Sequence, residues 1–426
     1  MGLSYMNNTA SLNAPAAKER LQNLSELLAK EQEKPERTDF VNNHIHTTYS
    51  FSPYSPTSAA YHAWRSGLAT AGIMDHDSVS GAKEFLQAGK AIGISVTNGF
   101  ECRCSLQGTP FETLRVNNPD QVGVAYVACH GIPYQSIDKA DAWLAPYREN
   151  RGIRNRKMVE RLNALCPFPA MHLDYDRDVL PISCAGEGGS VTERHILFAL
   201  AGKAIAAAGK GQPLVTLLKE QYGIEAQGKT LDILLQTDDL YYDYRLLGIF
   251  KSHLVEKFYI PATDECPYIL DFVAFVKSIS AVSAYAYLGD VGNSVTGDKK
   301  AQVFEDGFLD DLIVWLKQIG FNAVTYMPTR NTDAQLKRIM QLCGGQDLFQ
   351  ICGEDINTPF QSFICKQLAL PEFKHLTDAA WALIGHELLA SNNPDDGMFS
   401  ENTIQNFPVL TDRIAHFAKA ARDQKG

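Results

Sequence analysis

Short apolar runs alternate with longer amphipathic stretches along much of this chain, and several of the short runs end in side chains able to do chemistry. Residues 18–34 set Leu21, Leu24, Leu27 and Leu28 on one helical face and predict an amphipathic helix laid on the body. Residues 40–46 predict a strand, after which Thr57 or Ser58 caps a helix that ends at Gly67. The pattern then repeats, with a strand to Met74, a loop carrying Asp75-His76-Asp77, an N-cap at Ser80, a helix to Gly93 and a strand over 94–97. A further apolar run over 122–129 ends in His130-Gly131.

From about 138 to 257 the rhythm turns helical, with segments at 156–165, 191–208, 213–222 and 241–258 and no convincing strand. Alternation resumes with a helix over 268–278, a strand over 281–287, a helix over 308–319, a strand over 322–326, a helix over 333–342 and a strand over 348–352. Helices at 378–390 and 410–421 close the chain. Strands alternating with helices imply βαβ units and a parallel sheet, and polar residues at strand ends imply the catalytic face of a barrel. The expected organisation is an N-terminal helical extension (1–37), a first barrel part (38–137), a helical insertion (138–265), a second barrel part (266–370) and C-terminal helices (371–426).

Composition narrows the function classes. The 426 residues are 45% hydrophobic and 21% charged, ordinary for a globular protein. A net charge of −10 argues against a long nucleic-acid partner, although bound cations could still attract a small anion. No apolar run approaches the ~20 residues that span a bilayer. Residues 1–17 lack the basic and apolar blocks of a signal peptide, so the cytoplasm is the expected location. Nine cysteines, an odd number without a Cys-x-x-Cys spacing, fit a reducing compartment. Cys102 and Cys104, which flank Arg103, read as small buried hydrophobes rather than thiolate ligands.

The strongest chemical signal lies between residues 42 and 101. On an extended strand, residues two apart point to one side, so His44 and His46 can share a cavity while Ile45 faces the other layer. Imidazole suits Zn, Fe, Ni and Mn, and a carboxylate such as Glu101 can bridge two cations. The competing reading is a chance His-x-His on a polar edge with turn chemistry at Asp75-His76-Asp77. The recurrence of such residues after three successive apolar runs favours a metal or catalytic site. Arg330 leaves a strand end on the same face, where its guanidinium could fork onto phosphate oxygens or pin a loop. Thr192-Glu193-Arg194-His195 opens a helix in the insertion; Arg194 is a candidate phosphate contact and His195 a candidate ligand, set against a capping or surface role.

His44-x-His46, Asp75-His76-Asp77-Ser78-Val79-Ser80-Gly81, Gly99-Phe100-Glu101 and Gly353-Glu354-Asp355-x-Asn357 together resemble the polymerase and histidinol phosphatase (PHP) family over roughly 38–131 and 279–365. The resemblance implies a distorted (βα)7 TIM-like barrel that holds divalent metals and hydrolyses phosphoesters. Carried onto this sequence, it makes His44, His46 and Asp355 ligands of one metal, Glu101 a bridge to a second, His130 a ligand of that second ion, and His76 a ligand of a third. Asp75 and Asp77 would orient imidazoles. Three positions depart from the family: Ser50-Phe51-Ser52 stands for Ser-Asp-Gly, Tyr287 for a histidine, and Asn357 for the closing histidine. One or two tightly held Zn, Mn or Fe ions are therefore expected, with the third site weak or missing. The function implied is hydrolysis of a phosphate ester on a small molecule, with Arg330 and Arg194 neutralising developing charge and His76 able to protonate the leaving group. A metal-dependent amidohydrolase and a non-catalytic metal-binding regulatory protein are the alternatives.

Overall fold

In the computed structural model, residues 9–31, 33–292 and 302–424 are described. They form a mixed α/β structure with two sheets. The first holds β1 (Val41–Ile45), β2 (Thr70–Ile73) and β4 (Ser95–Thr97), all parallel in the order β1-β2-β4. The second has the order β3-β5-β6-β7-β8-β9, with β3 (Asp75–His76), β5 (Gly99–Ser105), β6 (Val124–His130), β7 (Val282–Ala286), β8 (Ala323–Tyr326) and β9 (Phe349–Cys352). Both ends of the second sheet reach the first. β3 follows β2 after a single residue, and an isolated parallel bridge joins Ile45 to Ile356 just beyond β9.

The helices obey local rules. α1 (Ala17–Lys30) buries Leu24 and Arg20, whose guanidinium reaches Glu84 at 2.6 Å. α2 (Pro56–Arg65) begins with proline, which needs no hydrogen bond there, and Ser55 Oγ accepts from the Ser58 N–H at 3.0 Å. α3 (Ala82–Ile92) stops at Gly93, whose φ of 80° is the usual left-handed end of a helix.

β6 departs from the expected all-parallel sheet, since it runs antiparallel to both β5 and β7. Parallel neighbours need a crossover, usually a helix, whereas antiparallel ones do not. Residues 106–123 carry no helix, and the ladder continues into them through the Leu106 N–H to the Gly123 carbonyl at 2.9 Å. Glu101 likewise lies inside β5 instead of in a loop after β4. Phe100, Cys102 and Cys104 alternate into the main core, so this strand is a period-two segment whose other face carries Glu101 and Arg103.

By its internal packing the chain divides into two compact units, one running up to Ala145 and again from Cys266, the other Pro146–Glu265. α4 (Ile137–Ala164) contributes residues to both. The first also holds α9 (Ile269–Ser278), α10 (Leu309–Gln318), α11 (Asp333–Gly345) and α12 (Lys374–Asn392), and its core is built on Phe100, Val127, Tyr285, Val324 and Phe349. The second contains α5 (Glu193–Ala208), α6 (Gln212–Tyr222), α7 (Lys229–Leu235) and α8 (Tyr242–Phe258), with Leu197, Leu200, Leu246 and Phe250 buried. Inside it Arg154 donates to Glu265 (2.6 Å), Glu193 (2.7 Å) and the Ile260 carbonyl (2.8 Å). All nine cysteines are free thiols, and none of the described helices is long and apolar enough to cross a membrane.

Candidate metal centre

Register places the ligand candidates. In β1 His44 precedes Ile45, and His46 follows the strand; the His46 N–H donates to the Ile356 carbonyl (2.9 Å), and the Ile356 N–H to the His44 carbonyl (3.0 Å). Asp355 is thereby set beside the histidine pair. Gly353 makes this approach possible, because a Cβ there would lie 2.6 Å from His44 Cβ. His76 of β3 pairs directly with Glu101 of β5, so the two side chains share a face.

Glu101 is the hub. Its Oε1 lies 3.5 Å from His44 Nε2, 3.3 Å from His46 Nε2 and 3.0 Å from His76 Nδ1. Asp355 Oδ1 lies 3.2 Å from His46 Nε2. His44, His46 and Glu101 offer ligand atoms that all fall within 4.8 Å of one another. Donors about 2.1 Å from one ion, separated by tetrahedral or octahedral angles, sit about 3.0–3.4 Å apart. The observed spacings therefore match the edges of a coordination shell. His130 Nε2 is buried without a hydrogen bond, an expensive state for a polar atom unless a cation uses its lone pair, while the Nε2 atoms of His44 and His46 face carboxylate oxygens.

The His46 tautomer can be assigned from its neighbours. Ser50 Oγ gives its only proton to Asp75 Oδ1 at 2.6 Å, so toward His46 Nδ1, 3.1 Å away, it can only accept. His46 therefore carries hydrogen on Nδ1, which leaves Nε2, facing Glu101 and Asp355, as its ligand nitrogen. Asp75 is fixed by two further donors, the Thr47 N–H (2.7 Å) and Thr47 Oγ1 (2.6 Å). This carboxylate, hydroxyl and imidazole chain is the kind of support that orients metal-bound histidines.

The charges are tightly interdependent. Burial disfavours a charged His46, but Asp355 and Glu101 more than compensate and raise it to about 10. Burial likewise works against an ionised Glu101, yet His76 and His44 hold it well below the usual carboxylate range. Asp355 is lowered against its own desolvation by His46. His130, buried and repelled by His44, falls to about 3 and stays a neutral imidazole. A neutral nitrogen donor beside anionic oxygen donors is a set that suits borderline divalent cations.

Arg330 sits in the turn after β8, its N–H bonded to the Met327 carbonyl at 3.0 Å. The neighbouring Thr329 hydroxyl bonds to Glu354, next to Asp355. His195 and Arg194 belong to the second unit, at the start of α5. There His195 Nδ1 accepts from the Thr192 N–H at 3.0 Å, and burial followed by the Arg151 charge lowers the imidazole to about 3. Of the departures noted above, Asn357 Nδ2 donates to Asp355 Oδ1 at 2.6 Å and Tyr287 donates to Asp306 Oδ1 at 2.6 Å. Phe51 adopts a φ of 90°, a strained value for a side chain with a Cβ. Sequence reasoning missed Ser50 as a partner of His46, and also two buried acids, Glu305 and Glu387. The Ser50 signal was present, since a hydroxyl four residues after His46 can fold back on it.

No protein-family model matches the chain, and no curated protein does. Solved structures share its fold, among them these two. One is a candidate metal-dependent phosphoesterase from Bifidobacterium adolescentis, at TM-score 0.50 and 20% identity, covering 79% of this chain and 96% of that one. The other is an amidohydrolase from Chromobacterium violaceum, recorded with bound sulfate and no metal, at TM-score 0.51 and 15% identity, covering 76% and 90%.

Proposed function

We propose that this protein is a divalent-metal-dependent phosphoesterase that hydrolyses an ester on a small phosphorylated molecule in the cytoplasm, without a long nucleic-acid or membrane partner. The observation that carries this reading is the convergence of three imidazole nitrogens on Glu101 Oε1. Both structural neighbours bear hydrolase names, which adds to it. The strand order, with β2 running on into β3 and Ile45 bridged to Ile356, supports reading the two sheets as one distorted barrel.

His44, His46 and Asp355 would hold one ion, with Glu101 shared toward a second held also by His130. Zn, Mn or Fe fit this set, one or two ions tightly and a third weakly or not at all. When bound, such ions supply Lewis acidity toward a phosphoryl oxygen and acidify water. The chain's own groups divide the remaining work. His76 has 24% of its side chain exposed, against 12% for His44 and 1% for His46, so it is the imidazole best placed to meet substrate and pass a proton to the leaving oxygen. Asp75 and Ser50 keep His46 in its ligand tautomer. Arg330 would offset charge developing on the phosphoryl oxygens.

The test is phosphate release from a panel of monoesters and diesters after loading with Mn, Zn or Fe, run beside His46→Ala. Turnover by the parent and its loss in the variant is the expected result. Turnover of amides or lactams alone would favour the amidohydrolase reading suggested by the second neighbour's name. Metal uptake without any hydrolysis would favour a regulatory metal-binding protein.

A further inference from the structure

A carboxylate outside the ligand cluster grips the corner from which two of its members depart. Glu387 lies in α12 (Lys374–Asn392), far along the chain, and is 7% exposed. Its Oε2 accepts from Thr97 Oγ1 at 2.7 Å and from the Asn98 N–H at 3.0 Å. Asn98 in turn donates through Nδ2 to the Ile132 carbonyl at 2.9 Å, and its own carbonyl accepts from the Gly131 N–H at 2.8 Å. One residue thus ties α12 to the chain immediately after His130, three positions before Glu101. Gly99 leaves no padding between the strands, because a Cβ there would stand 2.3 Å from the Cys129 carbonyl oxygen. A shift of Asn98 must pass directly into β5 and β6.

The carboxyl also suits this place chemically. Burial pushes Glu387 up to about 7, against the Thr97 and Asn98 donors that favour its charged form.

We infer that Glu387 is a positioning residue for the metal centre, which through Thr97 and Asn98 sets Glu101 and His130 at the separation that lets them share a cation. This rests on the reading of that centre as a metal site. It is separable from simple glue between α12 and the sheet, which would alter melting and leave metal affinity alone. Glutamine can reproduce both acceptor contacts through its amide oxygen, whereas alanine reproduces neither.

The experiment is chelator competition for Mn²⁺ and Zn²⁺ on the full chain, with thermal melting in parallel, for the parent, Glu387→Gln, Glu387→Ala, Asn98→Ala and His46→Ala. Expected are near-parental affinity for Glu387→Gln and ~10- to 100-fold weaker binding for Glu387→Ala and Asn98→Ala, the range usual for residues that support ligands. If Glu387→Ala does not fold, Asn98→Ala carries the test. Folded Glu387→Ala or Asn98→Ala binding metal as the parent does would overturn the inference while leaving the metal centre standing. A parent that binds no better than His46→Ala would overturn the metal centre itself.

Discussion

Replacing Ser50 by alanine isolates the tautomer argument from everything else at the site. The change removes the 2.6 Å bond to Asp75 and the 3.1 Å contact with His46 Nδ1, but Asp75 keeps both Thr47 donors. The fold should therefore lose only about 1–2 kcal/mol, the usual cost of one buried hydrogen bond. The effect on metal should be larger relative to that loss. His46 would no longer be held with its proton on Nδ1, and the support of a ligand histidine is worth about 10- to 100-fold in affinity, or about 1.4–2.7 kcal/mol. Competition against a coloured chelator for Zn²⁺ or Mn²⁺, with urea unfolding as the control, reads both quantities. Affinity within about twofold of the parent, in a protein that has lost the expected stability, would refute the assignment of the His46 proton.

Two further outcomes concern stability. Glu305 Oε1 accepts from the Leu288 N–H at 2.8 Å, and burial raises the acid from 4.5 to about 7. The folded state therefore holds the proton more tightly than the unfolded one, and the resulting stability is complete below about 4.5 and is lost as pH rises through about 7. Above roughly pH 8 this amounts to a loss on the order of 3 kcal/mol, so Glu305→Gln should melt higher than the parent there, with the gap closing near pH 5. Parallel melting curves at both pH values would contradict it. In the second unit, Arg154→Ala strips a buried guanidinium from Glu265 and Glu193 and should cost about 3–5 kcal/mol in urea unfolding; a loss near zero would mean that the network contributes little.

How far the sequence could be read depends on range. Strands over 41–45, 282–286, 323–326 and 349–352 show as apolar runs between helical periods, because local pattern specifies them. β5 was obscured because Glu101 and Arg103 look like the end of a strand, when they are one face of an alternating one. The direction of β6 was hidden for a related reason, since nothing local in 106–123 announces that the chain turns back instead of crossing over. Within the site, His44-x-His46 and Glu101 advertise themselves through residue type. The roles of Ser50, Asn98 and Glu387 do not, because hydroxyls, amides and lone acids are common. In particular, Glu387 finds Thr97 only through the packing of α12 against the sheet.

The most direct measurement is anomalous diffraction from crystals of the full chain soaked in Mn²⁺. A peak within about 2.0–2.3 Å of His44 Nε2, His46 Nε2 and a Glu101 oxygen, absent in His46→Ala, is the expected result. Ordered Mn²⁺ elsewhere on the protein, with no peak among these three side chains, would contradict the assignment of a metal centre.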